Sequence, residues 1–268
     1  DTLLINPTQQ DIFPLPRSSH LKIKESLIDA SCVVFDKDGT LIDFHKIWGP
    51  RLMRGADKLV QELSLSNEFY DHLYRALGFD DKTGVTDGQG PLATAPLDQF
   101  ATIVANVVFQ HGISWDSACE LTDDFMVSEM TAGPRPEELI PRGNIKQSLS
   151  RLYDAGFTLT VATTDNRLAT QSALDALRID HLFSDIRCGD DVGPVKPDAA
   201  VLESIATGQR CRIDQIVMVG DTVSDLMMAK NAGAKCCVGI LGGAGSADQL
   251  QAFADFLIED IREIQPDF

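Results

Sequence analysis

Four carboxylates carry most of the chemistry this sequence can offer. Asp36 and Asp38 stand one residue apart at the end of the run Cys32-Val33-Val34-Phe35, and Gly39 and Thr40 follow them. Asp221 and Asp225 lie in Gly220-Asp221-Thr222-Val223-Ser224-Asp225, just past the run Ile216-Val217-Met218-Val219. Alternate residues of an extended chain point the same way, so Asp36 and Asp38 can face one site. Gly39 lets the chain turn away there at little steric cost. Carboxylates gathered round one pocket repel each other, and a hard divalent cation with oxygen ligands relieves that repulsion. Two further groups stand in comparable places. Thr163 ends the run Leu159-Thr160-Val161-Ala162, and Lys196 precedes a proline in Val195-Lys196-Pro197-Asp198.

These groups need a scaffold that brings them to one edge. The apolar runs before Asp36, Thr163 and Asp221 read as buried strands. From about residue 142 the pattern alternates strand and helix, the signature of an α/β parallel sheet. Helices are expected over 145–152, 169–177, 199–206, 225–232 and 247–253. Strands are expected over 158–163, 183–188, 216–220, 235–240 and 256–258. Ligand sites in such sheets lie at the carboxyl ends of the strands. Three of the four spots follow predicted strands, Lys196 lies between a strand and a helix, and a parallel sheet would bring all four to one edge.

Between the first strand and this alternation the pattern is helical. Trp48, Leu52, Ala56, Leu59 and Leu63 recur at helical spacing, as do Phe69, Leu73 and Leu77 before Gly78. Residues 80–96 read as loop. Residues 103–108 read as helix from their context, with a strand left open by their β-branched residues. Ser114 and Asp116 are N-cap candidates. The domain plan is an arm at 1–23, an α/β core from 24–44 and 142–268, and an all-helical insert at 45–141 with its own core.

Bulk properties limit the function. The chain has 268 residues, enough for one large domain or two smaller ones. The net charge of −17 argues against a general binder of nucleic acid or anionic membranes. An anionic substrate then requires local cations or a metal. The six cysteines show no C-x-x-C spacing and no disulfide framework, which points to a reducing, cytoplasmic compartment. No apolar run reaches membrane-spanning length. The sequence starts at Asp1 and not at Met, so import into an organelle stays open.

The ordered set closely resembles the haloacid dehalogenase superfamily, in its phosphatase branch. That pattern is D-x-D-G-T after the first strand, then a Thr or Ser, then a Lys, then G-D-x-x-x-D. The resemblance covers about residues 32–44 and 142–243. It implies a Rossmann-like parallel core, with the helical insert as a C1-type cap. Gly78-Phe79-Asp80, Ala162-Thr163-Thr164-Asp165 and Leu241-Gly242-Gly243 look most like the phosphoglycolate-phosphatase-like group. By the resemblance, Asp36 is the nucleophile and Asp38 the general acid and base. Thr163 donates to a phosphoryl oxygen, and Lys196 offsets charge. Asp36, the Asp38 backbone carbonyl and Asp221 would ligate Mg²⁺, with Asp225 direct or through water. Gly39, Thr40 and Thr164 are candidate substrate contacts. Arg51 joins them, because His45, Lys46, Arg51 and Arg54 are the right types to meet an anion entering the cleft.

Each position also has a plain structural reading. Asp36 and Asp38 can be turn residues, Lys196 a surface lysine, Thr163 a strand residue, Asp225 a helix N-cap and Trp48 part of the cap's core. Three function classes follow. The leading one is a Mg²⁺-dependent phosphatase on a small phosphorylated metabolite, of the phosphoglycolate or sugar-phosphate type, as a monomer or homodimer. A phosphomutase of the β-phosphoglucomutase type shares the nucleophile and the cap. A catalytically inactive binding protein would keep the fold alone. Dehalogenation is disfavoured, because Asp38 supplies the acid that a phosphate ester's leaving group needs.

Overall fold

The run at 32–35 is apolar on both sides, and it becomes the centre of a parallel sheet. The structure, a computed structural model, describes residues 20–267. His20–Ile23 (β1) and Ser26–Asp29 (β2) form a hairpin, and Cys32–Phe35 (β3) follows. The insert holds Phe44–Leu63 (α1), Glu68–Leu77 (α2), the ribbon Phe79–Asp80 (β4) and Val85–Thr86 (β5), and Pro91–Thr94 (α3). It continues with Leu97–Gln110 (α4), Trp115–Leu121 (α5), a π-helical stretch Thr122–Val127, and Ser128–Thr131 (α6). Then come Ile145–Asp154 (α7), Thr158–Ala162 (β6), Arg167–Leu177 (α8), Asp185–Arg187 (β7) and Ala200–Gln209 (α9). Ile216–Gly220 (β8), Val223–Ala232 (α10), Cys236–Ile240 (β9), Ala247–Gln251 (α11), Phe256–Ile258 (β10) and Ile264–Pro266 (β11) complete it.

The main sheet has the order β10-β9-β8-β3-β6-β7, and every pairing in it is parallel. Alternation along β3 sends its side chains to two separate cores. Val33 and Phe35 pack with Val217 and Val219 beneath α7 and α8. Cys32 and Val34 pack with Ile216 and Met218 beneath α9 and α10. Both faces are covered, which is why these strands read as unbroken apolar runs. The chain leaves β3 towards β7 on one side and later returns to β8 on the other. The order reverses beside β3, and such a switch point opens a crevice at the carboxyl ends.

The insert packs round its own core. Leu52, Ala56 and Leu59 of α1 meet Phe69, Leu73 and Leu77 of α2 and Phe100, Val104 and Val108 of α4. Residues 103–108 are therefore helical, their apolar face deciding against the strand alternative. Asp43 caps α1 by accepting the His45 N–H at 3.0 Å, and Gly78 ends α2 at φ 73°. Ser114 is the N-cap of α5, with Asp116 in its first turn. The stretch 80–96 is less irregular than its composition suggests, since it holds most of the β4–β5 ribbon and α3.

Two expectations need correction. Residues 20–23, placed in the extended arm, form β1, which pairs with β2 and β11 in a small antiparallel sheet. Leu21 and Ile23 are fully buried and join the core beneath α7. The rest of the arm, 1–19, lies outside the described residues. Asp225 is not the N-cap of α10. Thr222 is, and Asp225 sits in the first turn and reaches back to it. Among the described residues no helix is long and apolar enough to cross a membrane.

Candidate active site

The ends of β3, β6 and β8 bring the predicted groups together. The Asp36 N–H donates to the Val219 carbonyl at 2.9 Å, which ties the end of β3 to β8. Asp36, Asp221 and Asp225 each offer a carboxylate oxygen, and these oxygens lie within 4.8 Å of one another. Asp221 and Asp225 are fully buried, and Asp36 nearly so. Lys196 crosses to them, its Nζ 2.5 Å from Asp36 Oδ1 and 2.7 Å from Asp225 Oδ1.

Small residues make room for this cage. A Cβ on Gly39, whose φ is 94°, would lie 2.1 Å from Asp221 Oδ2, so a side chain there would displace the carboxylate. Gly220 leaves room for Asp225 in the same way. The Ala244 N–H holds Asp221 Oδ2 at 2.7 Å, and the Thr40 hydroxyl donates to Oδ1 at 3.3 Å. Asp225 Oδ2 accepts the Thr222 hydroxyl at 2.7 Å. The Arg142 guanidinium donates to the Gly39 carbonyl at 2.6 Å and to the Leu241 carbonyl, clamping the two loops behind Asp221.

The electrostatics show what the cage lacks. Burial pushes the Asp36 carboxyl up to about 7 against the pull of Lys196, and Asp225 adds to the rise. Burial, then Asp36 and Asp225, raise Asp221 well above the usual carboxylate range. Lys196 is held above its ordinary value, because Asp225 and Asp36 outweigh the burial that opposes its charge. One ammonium thus serves three carboxylates. The donor set is oxygen alone, crowded and short of positive charge, so it fits a hard divalent cation such as Mg²⁺.

Asp38 stands apart from this trio. Both its oxygens lie 2.7 Å from Lys37 Nζ, and Lys37 also meets Asp165 Oδ2 at 2.9 Å. Burial raises Asp38, and Lys37 partly offsets that. The sequence reading missed Lys37 and Asp165. One signal was available: a lysine beside a fully apolar strand has to find an anionic partner if it is buried.

A cavity of about 170 Å³ separates this floor from the cap. Asp36, Asp38, Thr163, Thr164, Lys196 and Thr222 line it from the core. Thr163 is buried, and its hydroxyl oxygen accepts the Asp165 N–H at 3.2 Å. Trp48 both lines the cavity and packs on the cap's core.

Three expected substrate contacts lie elsewhere. Gly39 directs its N–H to the Ile42 carbonyl at 2.7 Å, and Thr40 directs its hydroxyl to Asp221. Both support the cage from behind, and neither lines the cavity. Arg51 is 2% exposed and uses its guanidinium within the protein. It donates to Glu138 Oε2 at 3.2 and 2.7 Å, to the Met130 and Ala132 carbonyls at 2.9 Å, and to the Gly133 carbonyl at 3.4 Å. A guanidinium has five N–H donors, so none is left for a ligand. Arg54 is held by Glu129 and Glu138, and Lys46 is exposed outside the cavity. His45 meets the Gly243 carbonyl at 3.1 Å.

A parallel α/β sheet with an acidic cage at its strand ends, roofed by a helical cap, defines a hydrolase site for phosphoryl transfer. The family model for haloacid dehalogenase-like hydrolases matches residues 30–233, and the chain belongs to that family. It is a phosphoric monoester hydrolase of the phosphoglycolate-phosphatase-like group. It is 30% identical over 230 residues to a phosphoglycolate phosphatase of Vibrio cholerae, covering 85% of this chain and 92% of that one. A phosphoglycolate phosphatase of Vibrio parahaemolyticus is 28% identical over 241 residues, covering 88% and 95%. The crystal structure of a predicted phosphoglycolate phosphatase from Haemophilus somnus shares the fold, with a TM-score of 0.61, 21% identity, and coverage of 87% and 95%.

Proposed function

We propose that the protein hydrolyses a small phosphorylated metabolite through an aspartyl-phosphate on Asp36, with Mg²⁺ as cofactor. The observation that carries this reading is Lys196 bridging Asp36 and Asp225 in one cage with Asp221, on the floor of the cavity. Asp36, Asp221 and Asp225 would hold Mg²⁺, with the Asp38 backbone carbonyl as a further ligand. The bound ion would neutralise charge between the carboxylates and the phosphoryl group.

A carboxylate oxygen of Asp36 attacks phosphorus, and the bond from phosphorus to the alcohol oxygen breaks. Asp38 gives that oxygen its proton. Water then attacks the aspartyl-phosphate and loses a proton to Asp38, so inorganic phosphate leaves and both carboxyl groups are restored. General acid–base help of this kind contributes roughly 10²–10⁴-fold. Thr163 and Thr164 line the same cavity, and in this reading they donate to phosphoryl oxygens. Lys196 opposes the burial that favours protonation of Asp36 and offsets the incoming negative charge. The sequence reading names phosphoglycolate or a sugar phosphate, and the two Vibrio relatives are called phosphoglycolate phosphatases. The cap wall of the cavity favours a different alcohol.

The test is phosphate release from a panel of small esters with Mg²⁺, together with acid quenching during turnover. Peptide mass spectrometry should find phosphate on Asp36. Turnover without any acid-stable phosphate on that peptide would overturn the mechanism, and an isomerised phosphate ester in place of free phosphate would make the protein a mutase.

A further inference from the structure

The two walls of the cavity differ sharply. The core wall is polar and carries the acidic cage. The opposite wall is built by Phe44, Trp48, Leu92, Leu97, Phe100 and Met130. Its remaining positions are Ala93, Ala95 and Pro96, with two hydroxyls, Thr94 and Thr131. Both hydroxyls are already engaged. Thr94 donates to the Gly90 carbonyl at 3.1 Å, and Thr131 donates to the Val127 carbonyl at 2.8 Å.

Among the described residues that line the cavity, Lys196 is the one Lys or Arg, and Asp36 and Asp225 hold it on the floor. The other charged lining groups are carboxylates, Asp165 and Asp190 among them. The nearby arginines of α1 are engaged by Glu129 and Glu138. Helix α4 starts at the cavity and carries the carboxylate of Asp98 in its first turn. A substrate's second anion would therefore meet an acidic floor or an apolar wall, with no cation to pair it. The hydroxyls of a sugar turned to the cap wall would be desolvated against aromatic rings without partners, because, Thr94 and Thr131 apart, the polar lining side chains, Asn166 and Ser224 among them, belong to the core wall.

We infer that the substrate of this site is a phosphate monoester of an uncharged, apolar alcohol, aryl or branched alkyl, seated against Trp48 and Phe100. This rests on the phosphatase reading above and narrows its substrate class. Phe100 is 4% exposed and belongs to the cap's own core, which packs this part of the wall in place. Burying the alcohol there is favourable in proportion to the apolar area removed from water. The phosphate supplies the only charge that the floor has to accommodate.

The experiment compares kcat/KM for benzyl phosphate and isopentyl phosphate with that for phosphoglycolate and glycerol phosphate, with acetyl phosphate as the control for phosphoryl chemistry. The apolar esters should lead by at least about tenfold, the scale of discrimination an apolar pocket provides. In a parallel titration calorimetry experiment, benzylphosphonate should bind more tightly than phosphonoacetate. Leu97 is 42% exposed and lies at the cavity's edge, so Leu97→Arg offers a cation without emptying the core. That variant should move the ratio towards phosphoglycolate. A lead for phosphoglycolate or glycerol phosphate in the wild type, with acetyl phosphate hydrolysed normally, overturns the inference and leaves the phosphatase reading intact. Hydrolysis of every ester, and of acetyl phosphate, that persists undiminished in Asp36→Asn overturns both.

Discussion

Lys37 Nζ stands 2.7 Å from each carboxylate oxygen of Asp38, its neighbour in the chain. Adjacent residues of a strand point to opposite faces, so this contact needs a turn. The turn is present: the Leu41 and Ile42 N–H groups both return to the Lys37 carbonyl, at 2.8 and 3.0 Å. Asp165 completes the arrangement from the loop after β6. Lys37 therefore fixes where the acid of the proposed mechanism can reach. Lys37→Met should lower kcat by about a hundred- to a thousandfold, within the range acid–base help supplies. Lys37→Arg returns the charge in a planar fork and should recover only part. Steady-state kinetics of both variants decide this, and wild-type kcat in Lys37→Met would remove Lys37 from the mechanism.

Asp36→Asn keeps the shape of the side chain and leaves Lys196 with Asp225. An amide cannot form the acyl-phosphate. Turnover should fall to the detection limit while the thermal unfolding midpoint stays at or above the wild-type value. Removing one of three crowded carboxylates relieves repulsion, so a gain in stability is the expected side effect. Retention of more than a few per cent of activity would sink the nucleophile assignment.

Metal removal tests the cage as a whole. EDTA should abolish activity and added Mg²⁺ should restore it. Asp221→Ala should weaken Mg²⁺ binding in a calorimetric titration, because among the described residues the Asp221 carboxylate makes no ion pair and is held by the Ala244 N–H and the Thr40 hydroxyl, which leaves its charge for the cation. Full activity after exhaustive chelation would show that the carboxylates work without a divalent ion.

The strand ends were legible because they combine two signals, an unbroken apolar run and a polar cluster just past it. Asp36, Thr163 and Asp221 all carry that pair, and the parallel sheet brings them together. Lys196 lacked the strand and was legible only as part of the ordered set. The supports behind the site were not legible. Arg142 reads as a boundary residue, yet it clamps Gly39 to Leu241 across 103 and 99 residues of chain. Arg51 was misread because helix phase does not say what an arginine meets, and Glu138, its partner, lies 87 residues away. β1 escaped notice because four residues, His20–Ile23, give only two turns of alternation.

Arg51 is then a structural residue. Arg51→Met should leave Glu138 short of its main partner and free the Met130 and Ala132 carbonyls. Breaking a buried pair in this way costs about 3–5 kcal/mol. The urea midpoint should fall accordingly, while Lys46→Ala should leave both stability and KM unchanged. A normal midpoint for Arg51→Met, with a raised KM, would return Arg51 to the substrate.

Glu129 makes the cap sensitive to acid. It meets Arg54 at 2.7 Å, Lys58 at 2.9 Å and Arg135 at 2.9 Å. Burial pushes its carboxyl up, but Lys58 and Arg54 outweigh that and hold it at about 2, below its ordinary value of 4.5. The folded state thus gives up this proton more readily than the unfolded state. The stability that results is fully present above the unfolded value and is lost as pH falls from there towards the folded one. Glu129→Gln should be less stable than the wild type near neutral pH, and the gap should narrow as pH falls below 4.5 and close near about 2. Urea midpoints for both proteins across the acid range measure this. A gap that stays constant down to the lowest pH would mean that Glu129 contributes through packing and not through its charge.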